Sequence, residues 1–214
     1  MLILILSVVQ GKAQSENKGG LSYGIKAGLN LSALSSNYIG LPDMKLGYQF
    51  GGFGAYSLMP SLSVELDVFY AKMGSSTIDP AKIYVSGTPG ANTIVKSSVR
   101  MNTLEIPVLA KYSFDLSGTK AYLIIGPEMS FLLSVKAVNT RIESTGETIS
   151  KADVTGSFRG SDFAGVIGFG IELQKELSVD LRYRSGFTSI NYIRSRSYSD
   201  FNLNALSLNV GYSF

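Results

Sequence analysis

Two pairs of charged residues carry the strongest chemical signal in the sequence. Glu65 and Asp67 are separated by one residue, and so are Arg182 and Arg184. In an extended strand, residues two apart point to the same face, so each pair presents two like charges on one side. Carboxylates and guanidinium groups form strong charge-assisted hydrogen bonds with each other. We expect these four residues to form one network of salt bridges, with Glu128 nearby.

The residue types that common catalytic and metal sites need are missing. The chain has 214 residues and contains no Cys and no His. Thiolate catalysis, Cys-ligated metals and His-activated nucleophiles are therefore excluded, and only oxygen ligands remain for a metal. The motif Gly165-x-x-Gly168-x-Gly170 resembles a phosphate-binding loop, but it lies in a predicted strand with no helix after it. We predict no enzymatic activity, no cofactor and no metal.

The charge content is low and only weakly basic. Charged residues make up 16% of the chain, and the formal net charge is +3. Soluble domains usually carry about 25% charged residues. Because no run of Lys and Arg strengthens the small excess, we predict no nucleic-acid partner.

The N-terminus has the features of a targeting segment. Residues 2–9 are apolar, and the small-x-small step Gly11-Lys12-Ala13 follows them. This pattern indicates a signal peptide over residues 1–13, truncated at its start because the usual basic region is missing. The apolar stretch is too short to span a bilayer as a helix. A buried N-terminal strand or helix is the alternative.

From residue 21 onward the hydrophobic pattern has a period of two, which predicts eight strands. In each strand one face is apolar and carries no charge. The opposite face is mainly Gly, Ser, Ala and Asn with sparse charges. The predicted segments are 21–31, 46–58, 62–70, 104–114, 123–133, 163–173, 177–183 and 206–214. The charges on the opposite face are Lys26, Glu65, Asp67, Glu105, Lys111, Glu128, Asp162, Glu172, Asp180, Arg182 and Arg184.

The connections between these segments alternate in length. Long gaps lie at 32–45, about 73–99, about 135–160 and 185–203, and short ones at 59–61, 115–120 and 174–176. Transmembrane β-barrels alternate short periplasmic turns with long outer loops. We therefore predict an all-β, eight-stranded antiparallel up-and-down barrel over residues 21–214. An even strand number places both termini in the periplasm, where residues 14–20 form a short N-terminal segment.

A soluble lipocalin-like barrel or a β-sandwich also alternates, with its apolar face turned inward. The small, sparsely charged polar face favours a crowded lumen over a water-exposed surface. Aromatic residues near the strand ends match the girdles of membrane barrels, although Tyr and Phe favour strands in general. The last strand ends in Tyr212-x-Phe214, which resembles the assembly signal that the barrel-assembly machinery of bacteria reads.

Eight strands leave an interior that side chains just fill. In such a ring the third and seventh strands face each other, which brings the Glu65 and Arg182 segments together. A plug that sets strand register is one interpretation of the charge network, and an ion path is the other. Outside the ring, the last long loop interleaves Arg with aromatic residues. It predicts binding of lipopolysaccharide phosphates or a protein partner, unless it is an ordinary solvated loop. Its candidate binding residues are Tyr192, Arg194, Arg196 and Tyr198.

Several short motifs in order resemble the small outer-membrane β-barrel proteins of Bacteroidota, the PorT-like "porin family". The motifs are residues 23–30 (YGIKAGLN), 104–107 (LEIP), Gly126-Pro127 and 211–214 (GYSF). The resemblance implies that Pro107 and Pro127 are tolerated at bulges. Most members have no assigned activity, and one branch is tied to protein secretion. We expect a non-enzymatic structural or interaction protein of the outer membrane, and the likeness to that branch implies an association with secretion. A narrow pore is the alternative.

Overall fold

The structure is a computed structural model that describes residues 20–35, 43–78, 84–85, 92–143, 146–173, 176–190 and 202–214. These residues form ten β-strands and one short 3-10 helix, Thr155–Ser157. None of the described residues form a helix that is long and apolar enough to cross a membrane. The strands are β1 (Leu21–Ser35), β2 (Asp43–Met59), β3 (Leu62–Ile78), β4 (Tyr84–Val85), β5 (Asn92–Leu116), β6 (Thr119–Glu143), β7 (Gly146–Asp153), β8 (Ser161–Glu172), β9 (Leu177–Gly186) and β10 (Asn202–Ser213).

Eight of the ten strands close into an antiparallel barrel. The ring runs β1, β2, β3, β5, β6, β8, β9 and β10, and the pairing of β10 with β1 closes it. The strands β4 and β7 pair with the outer parts of β5 and β6 and stand outside the ring. The predicted eight-stranded up-and-down barrel is confirmed. Its connections leave one short-turn end, which also holds the last residue, Phe214, and one long-loop end.

The strands are longer than the sequence pattern indicated. β5 and β6 have 25 residues each, so much of the predicted gaps at 73–99 and 135–160 is strand, and that prediction was wrong. Beyond the apolar band the outward face turns polar and the inward face turns apolar, as at Arg100 and Met101, so the pattern that marks the band ends before the strand does. At the short-turn end, Ser117 and Gly118 join β5 to β6 with φ of 51° and 88°, as a tight two-residue hairpin turn requires.

The two strand prolines do not lie at bulges. The register of β3 with β5 is the same on both sides of Pro107, and that of β6 with β8 is continuous through Pro127. The irregularity between β5 and β6 lies further along, between Asn102 and Thr103. The expectation from the family resemblance was therefore wrong. Each proline removes one N–H donor, and the rungs on either side maintain the pairing.

Side chains point as the alternation predicted. Apolar residues such as Ile25, Ile125 and Leu208 face outward, where they are 55%, 60% and 51% exposed. Polar and charged residues point into the barrel and are buried. At the long-loop end, the interior is instead filled by a cluster of apolar side chains. Val154 and Phe158, from the segment that follows β7, pack against this apolar cluster. The buried members of the cluster are Ala71, Met73, Met101, Val135, Ile190, Leu203 and Ala205.

Candidate functional site: a charged lumen

The strands β3 and β9 carry the predicted charge pairs into the lumen. Each strand alternates outward apolar residues with inward charged ones, so Glu65 and Asp67 on β3 are buried, as are Arg182 and Arg184 on β9. The two strands are not neighbours in the ring. Their side chains meet across the barrel axis, because an eight-stranded barrel is narrow enough for long side chains to span it.

Arg182 is the centre of the first cluster of ions. Its Nη1 donates to Asp67 Oδ2 at 2.5 Å, and its Nη2 donates to Glu65 Oε1 at 3.2 Å. On its own strand, Nε donates to Asp180 Oδ1 at 2.6 Å and Nη2 to Asp180 Oδ2 at 3.0 Å. Lys26 on β1 contacts Glu65 and lies 3.4 Å from Asp67. We call these five residues the Arg182 cluster.

Arg184 forms a second cluster, nearer the long-loop end. Its Nε donates to Glu128 Oε1 at 2.6 Å, and its Nη2 donates to Asp162 Oδ2 at 2.5 Å and to Ser130 Oγ at 3.1 Å. The remaining nitrogen, Nη1, donates to the Leu203 carbonyl at 2.5 Å. The guanidinium group therefore ties β9 to β6, β8 and β10. We call Arg184, Glu128 and Asp162 the Arg184 cluster.

The structure thus separates the predicted network into two clusters. Glu65, Asp67 and Arg182 lie together, whereas Arg184 and Glu128 lie in the other group. Lys26, Asp162 and Asp180 were predicted from the sequence to lie on the inward face but were not predicted to belong to the network. The face of the strand on which each of them lies could be predicted from the sequence. Their height in the barrel could not, because height depends on the stagger of neighbouring strands.

The buried lumen contains more carboxylates than cations. Lys26, Arg182 and Arg184 are the buried cations of the described barrel. Six buried carboxylates face them: Glu65, Asp67, Glu105, Glu128, Asp162 and Asp180. Lone buried charges are costly, so the excess needs protons or cations taken up from solution. Among the described residues, no group of three or more acidic side chains has a geometry that could hold a metal ion.

Aromatic rings and amides fill the space around the ions. The Lys26 ammonium lies 4.4 Å from the centre of the Phe53 ring, and the Arg182 guanidinium lies 5.8 Å from that of Phe69. Gln49 Nε2 donates to Asn209 Oδ1 at 2.8 Å, and Asn209 Nδ2 donates to Asp180 Oδ1 at the same distance. Because the polar groups hold one another, the lumen in the described part of the chain is a packed polar core.

Two small cavities lie among the packed residues that the structure describes. One has a volume of about 20 Å³, and its lining includes Glu105, Glu128, Arg182 and Arg184. The other, of about 10 Å³, lies under the apolar cluster, where Leu203 is part of its wall. A cavity of roughly 10–15 Å³ is the smallest that holds one water molecule, so each is of the size of one water rather than of a solute.

The remaining predicted site residues are four residues of the last long loop and two aromatic residues at the end of the chain. Tyr192, Arg194, Arg196 and Tyr198 lie outside the described residues. Tyr212 and Phe214 are exposed on the outer wall at the short-turn end. Their ring centres are 5.7 Å apart, and Phe214 lies 5.9 Å from Tyr23 of the neighbouring strand. These rings form part of an aromatic border of the apolar band.

The sequence was also compared with known proteins. The outer membrane protein beta-barrel domain family matches residues 12–192. The chain belongs to this family. No curated protein matches the chain.

Several solved structures are similar to this outer-membrane barrel at low identity. Ail, the attachment invasion locus protein of Yersinia pestis, is 13% identical, with 92% of this chain and 100% of that chain covered and a TM-score of 0.44. Neisserial surface protein A is 14% identical, with 91% and 99% covered and a TM-score of 0.46. OprG of Pseudomonas aeruginosa is 11% identical, with 94% and 99% covered and a TM-score of 0.41.

Membership of an outer-membrane family explains why apolar side chains lie on the outside of the barrel and polar ones inside, the reverse of a soluble protein. In hydrocarbon, every backbone polar group must be paired internally, and a closed ring of strands achieves this. The exposed Leu, Ile, Val and Phe side chains form the surface that faces lipid. A Lys or Arg at mid-membrane on this surface would cost about 2–4 kcal/mol, and the outward positions along the band carry neither.

Proposed function

We propose that this outer-membrane barrel is a non-enzymatic structural or interaction protein whose lumen is plugged by its own side chains. One observation carries the proposal: two Arg-centred clusters and an apolar cluster fill the interior one above another. The contacts within the ionic clusters are 3.4 Å or shorter. A barrel filled in this way supports interactions at its ends and on its outer wall rather than transport through its centre.

The plug has a clear structural role in this proposal. Arg182 joins β9 to β3 across the axis, and Arg184 joins β9 to β6, β8 and β10. Each arginine binds oxygens in a fixed geometry, because a guanidinium group is a rigid planar fork. A shift of strand register by one residue would move every inward charge to the lipid face. The clusters therefore favour one register and one closed ring.

Conductance measurements test the proposal. The purified full-length protein is inserted in planar bilayers, and current is recorded alongside an Arg184→Ala variant. The proposal expects that the unaltered protein shows no steady conductance. The variant lacks a guanidinium group that lines the 20 Å³ cavity in the lumen, so it should leak small ions more often. Steady, voltage-independent conductance of the unaltered protein would refute the plug and favour a pore.

A narrow pore for small solutes or ions is the second candidate function. The observation in its favour is the excess of buried carboxylates around the cavity near Glu105, since a negatively charged constriction attracts cations. Cation selectivity in the conductance records, abolished by Glu105→Gln, is the result that would support it. Permeation would also require the apolar cluster at the long-loop end to move.

Orientation and partners are part of the proposal. We place both barrel termini in the periplasm and the long loops outside, as short turns and long loops do in bacterial barrels. The proposed partners are outer-membrane lipid, lipopolysaccharide, the barrel-assembly machinery that reads Tyr212 and Phe214, and a protein bound at the outer loops. Protease accessibility of the loops in intact cells tests the orientation, and crosslinking followed by mass spectrometry tests the partners.

We also propose a more specific family and role for this barrel. The sequence motifs support membership of the PorT-like group of Bacteroidota, and with it an association with protein secretion. Deletion of the gene in its native host, followed by analysis of the secreted proteins, tests this role. Unchanged secretion would leave a structural barrel without a secretion partner.

A further inference from the structure

A row of basic side chains lies on the outer wall of the barrel. Lys72, Arg100 and Lys136 are on β3, β5 and β6, which are neighbours in the ring. Arg100 is opposite Lys136 in register, and on its other side it is opposite Gly74, two residues beyond Lys72. Residues directly opposite each other on one face of an antiparallel pair are about 5 Å apart at Cβ. The three cations therefore form one patch.

Lys45 on β2 extends this patch. Its Cδ atom lies 2.9 Å from the position that a β-carbon on Gly74 would occupy. Its side chain thus crosses β3 between the other cations, and the positive charges of Arg100 and Lys72 act on it. The Lys72 ammonium lies 5.7 Å from the centre of the outward-facing Tyr48 ring. We call Lys45, Lys72, Arg100 and Lys136 the basic patch.

The basic patch begins where the apolar band ends. The outward apolar residues of β5 run from Phe114 to Leu104, and Arg100 is the first outward charge beyond them. At about 3.3 Å per residue and a tilt of about 40°, that run spans about 25 Å of height, which is the thickness of the apolar band of such barrels. The same order holds on β3, where Lys72 follows Tyr70. The patch therefore lies at the level of lipid headgroups.

Within the described strands, β8, β9 and β10 carry no outward cation at the height of the patch. At the corresponding outward positions of β8, β9 and β10, the side chains are Ser161, Ser185 and Asn204, which are uncharged. Asp153 on β7 lies opposite Lys136 and offsets part of its charge. A general need for solubility at the membrane surface would not concentrate cations on four neighbouring strands, so the patch has the form of a localised anion site.

We propose that the basic patch binds an anionic lipid whose headgroup carries phosphate, in the leaflet on the long-loop side. Phosphate oxygens match the fork of Arg100, and the Lys ammonium groups supply further charge. The acyl chains of the same lipid would lie against the apolar residues directly below, including Tyr70 and Leu104. This inference rests on the membrane insertion in the proposed function, but not on whether the lumen conducts.

Lipid titration of matched variants tests the inference. The full-length protein in zwitterionic detergent is titrated with monophosphorylated lipid A and with its dephosphorylated form, and bound lipid is measured by native mass spectrometry. The patch variant is Lys72→Gln/Arg100→Gln. The control is Lys120→Gln/Arg159→Gln, which removes the same charge, one Lys and one Arg, from exposed positions outside the patch. Shifted migration of unheated samples on gels verifies that each variant is folded.

The patch variant should bind the phosphorylated lipid at least about tenfold more weakly than the unaltered protein, because it lacks charge-assisted contacts to the phosphate. The control should bind like the unaltered protein, and the dephosphorylated lipid should bind weakly to all three. Equal binding by the patch variant, or equal binding of the two lipids, would overturn the inference. If the double variant does not fold, Arg100→Gln alone must show a smaller loss in the same direction. Conductance is measured separately, so failure of the plug and failure of the lipid site are distinguishable.

Discussion

Replacement of Arg182 by Met should strongly destabilise the barrel, because three buried carboxylates depend on this side chain. The guanidinium group contacts Asp67 at 2.5 Å, Glu65 at 3.2 Å and Asp180 at 2.6 Å, and the arginine is only 4% exposed. In the variant, Lys26 is the one cation left in the Arg182 cluster to balance three negative charges. Methionine fills much of the volume, so the effect measured is mainly that of the missing charge.

The magnitude follows from burial. Removal of one partner from a buried ion pair costs about 3–5 kcal/mol, and we expect the upper end for Arg182→Met because several carboxylates lose their partner together. The matched control is Lys111→Met. Lys111 lies 3.1 Å from Glu172, but the two side chains are 15% and 27% exposed. An ion pair that water reaches is worth about 0–1 kcal/mol, so this variant should lose little stability.

The assay is urea unfolding in phosphatidylcholine vesicles. The chain has 12 Tyr and no Trp, so unfolding is followed by tyrosine fluorescence and by gel migration of unheated samples. A second substitution, Asp67→Asn in the Arg182→Met background, should restore part of the loss, since it removes an unpaired buried charge. The reasoning is wrong if Arg182→Met costs no more than Lys111→Met, or if the second substitution lowers stability further.

Three further predictions concern the lumen, the lipid face and the outer segment. Glu128→Gln should lower the free energy of unfolding by about 2 kcal/mol, because it weakens a charged hydrogen bond. Glu105→Gln should not lower the free energy of unfolding, because it relieves the carboxylate excess. Equal losses for the two variants in urea titrations would contradict this prediction. Ile125→Arg should cost about 2–4 kcal/mol in the same assay if the residue faces mid-membrane lipid, and an unchanged midpoint would argue against that placement. The hydrogen bond from the Thr155 backbone N–H lowers the pKa of Asp153. The stabilisation by the ionised Asp153 is therefore complete above a pH of about 4 and is lost as the pH falls through the lowered pKa. Cleavage by an acid protease after β7 should increase only in that range, and cleavage that does not depend on pH would refute this prediction.

The inward and outward assignment of side chains could be read from the sequence because strands alternate strictly. The inward orientation of every lumen charge followed from this period, as did the uncharged lipid face. The number of barrel strands was also accessible, since each apolar run marks one crossing of the band. The ends of β5 and β6 were not, because the pairing of backbone groups continues beyond the apolar band, where the outward face is no longer apolar.

Composition and alternation alone thus determined the class of the fold and the set of residues that line the barrel. Only the tertiary structure decided which of them meet. Arg182 selects Glu65 and Asp67, whereas Arg184 selects Glu128 and Asp162, and Lys26 reaches β3 across β2. These contacts depend on the height of each residue along the barrel axis. Height is set by strand tilt and stagger around the closed ring, and these belong to all eight strands together rather than to any one segment.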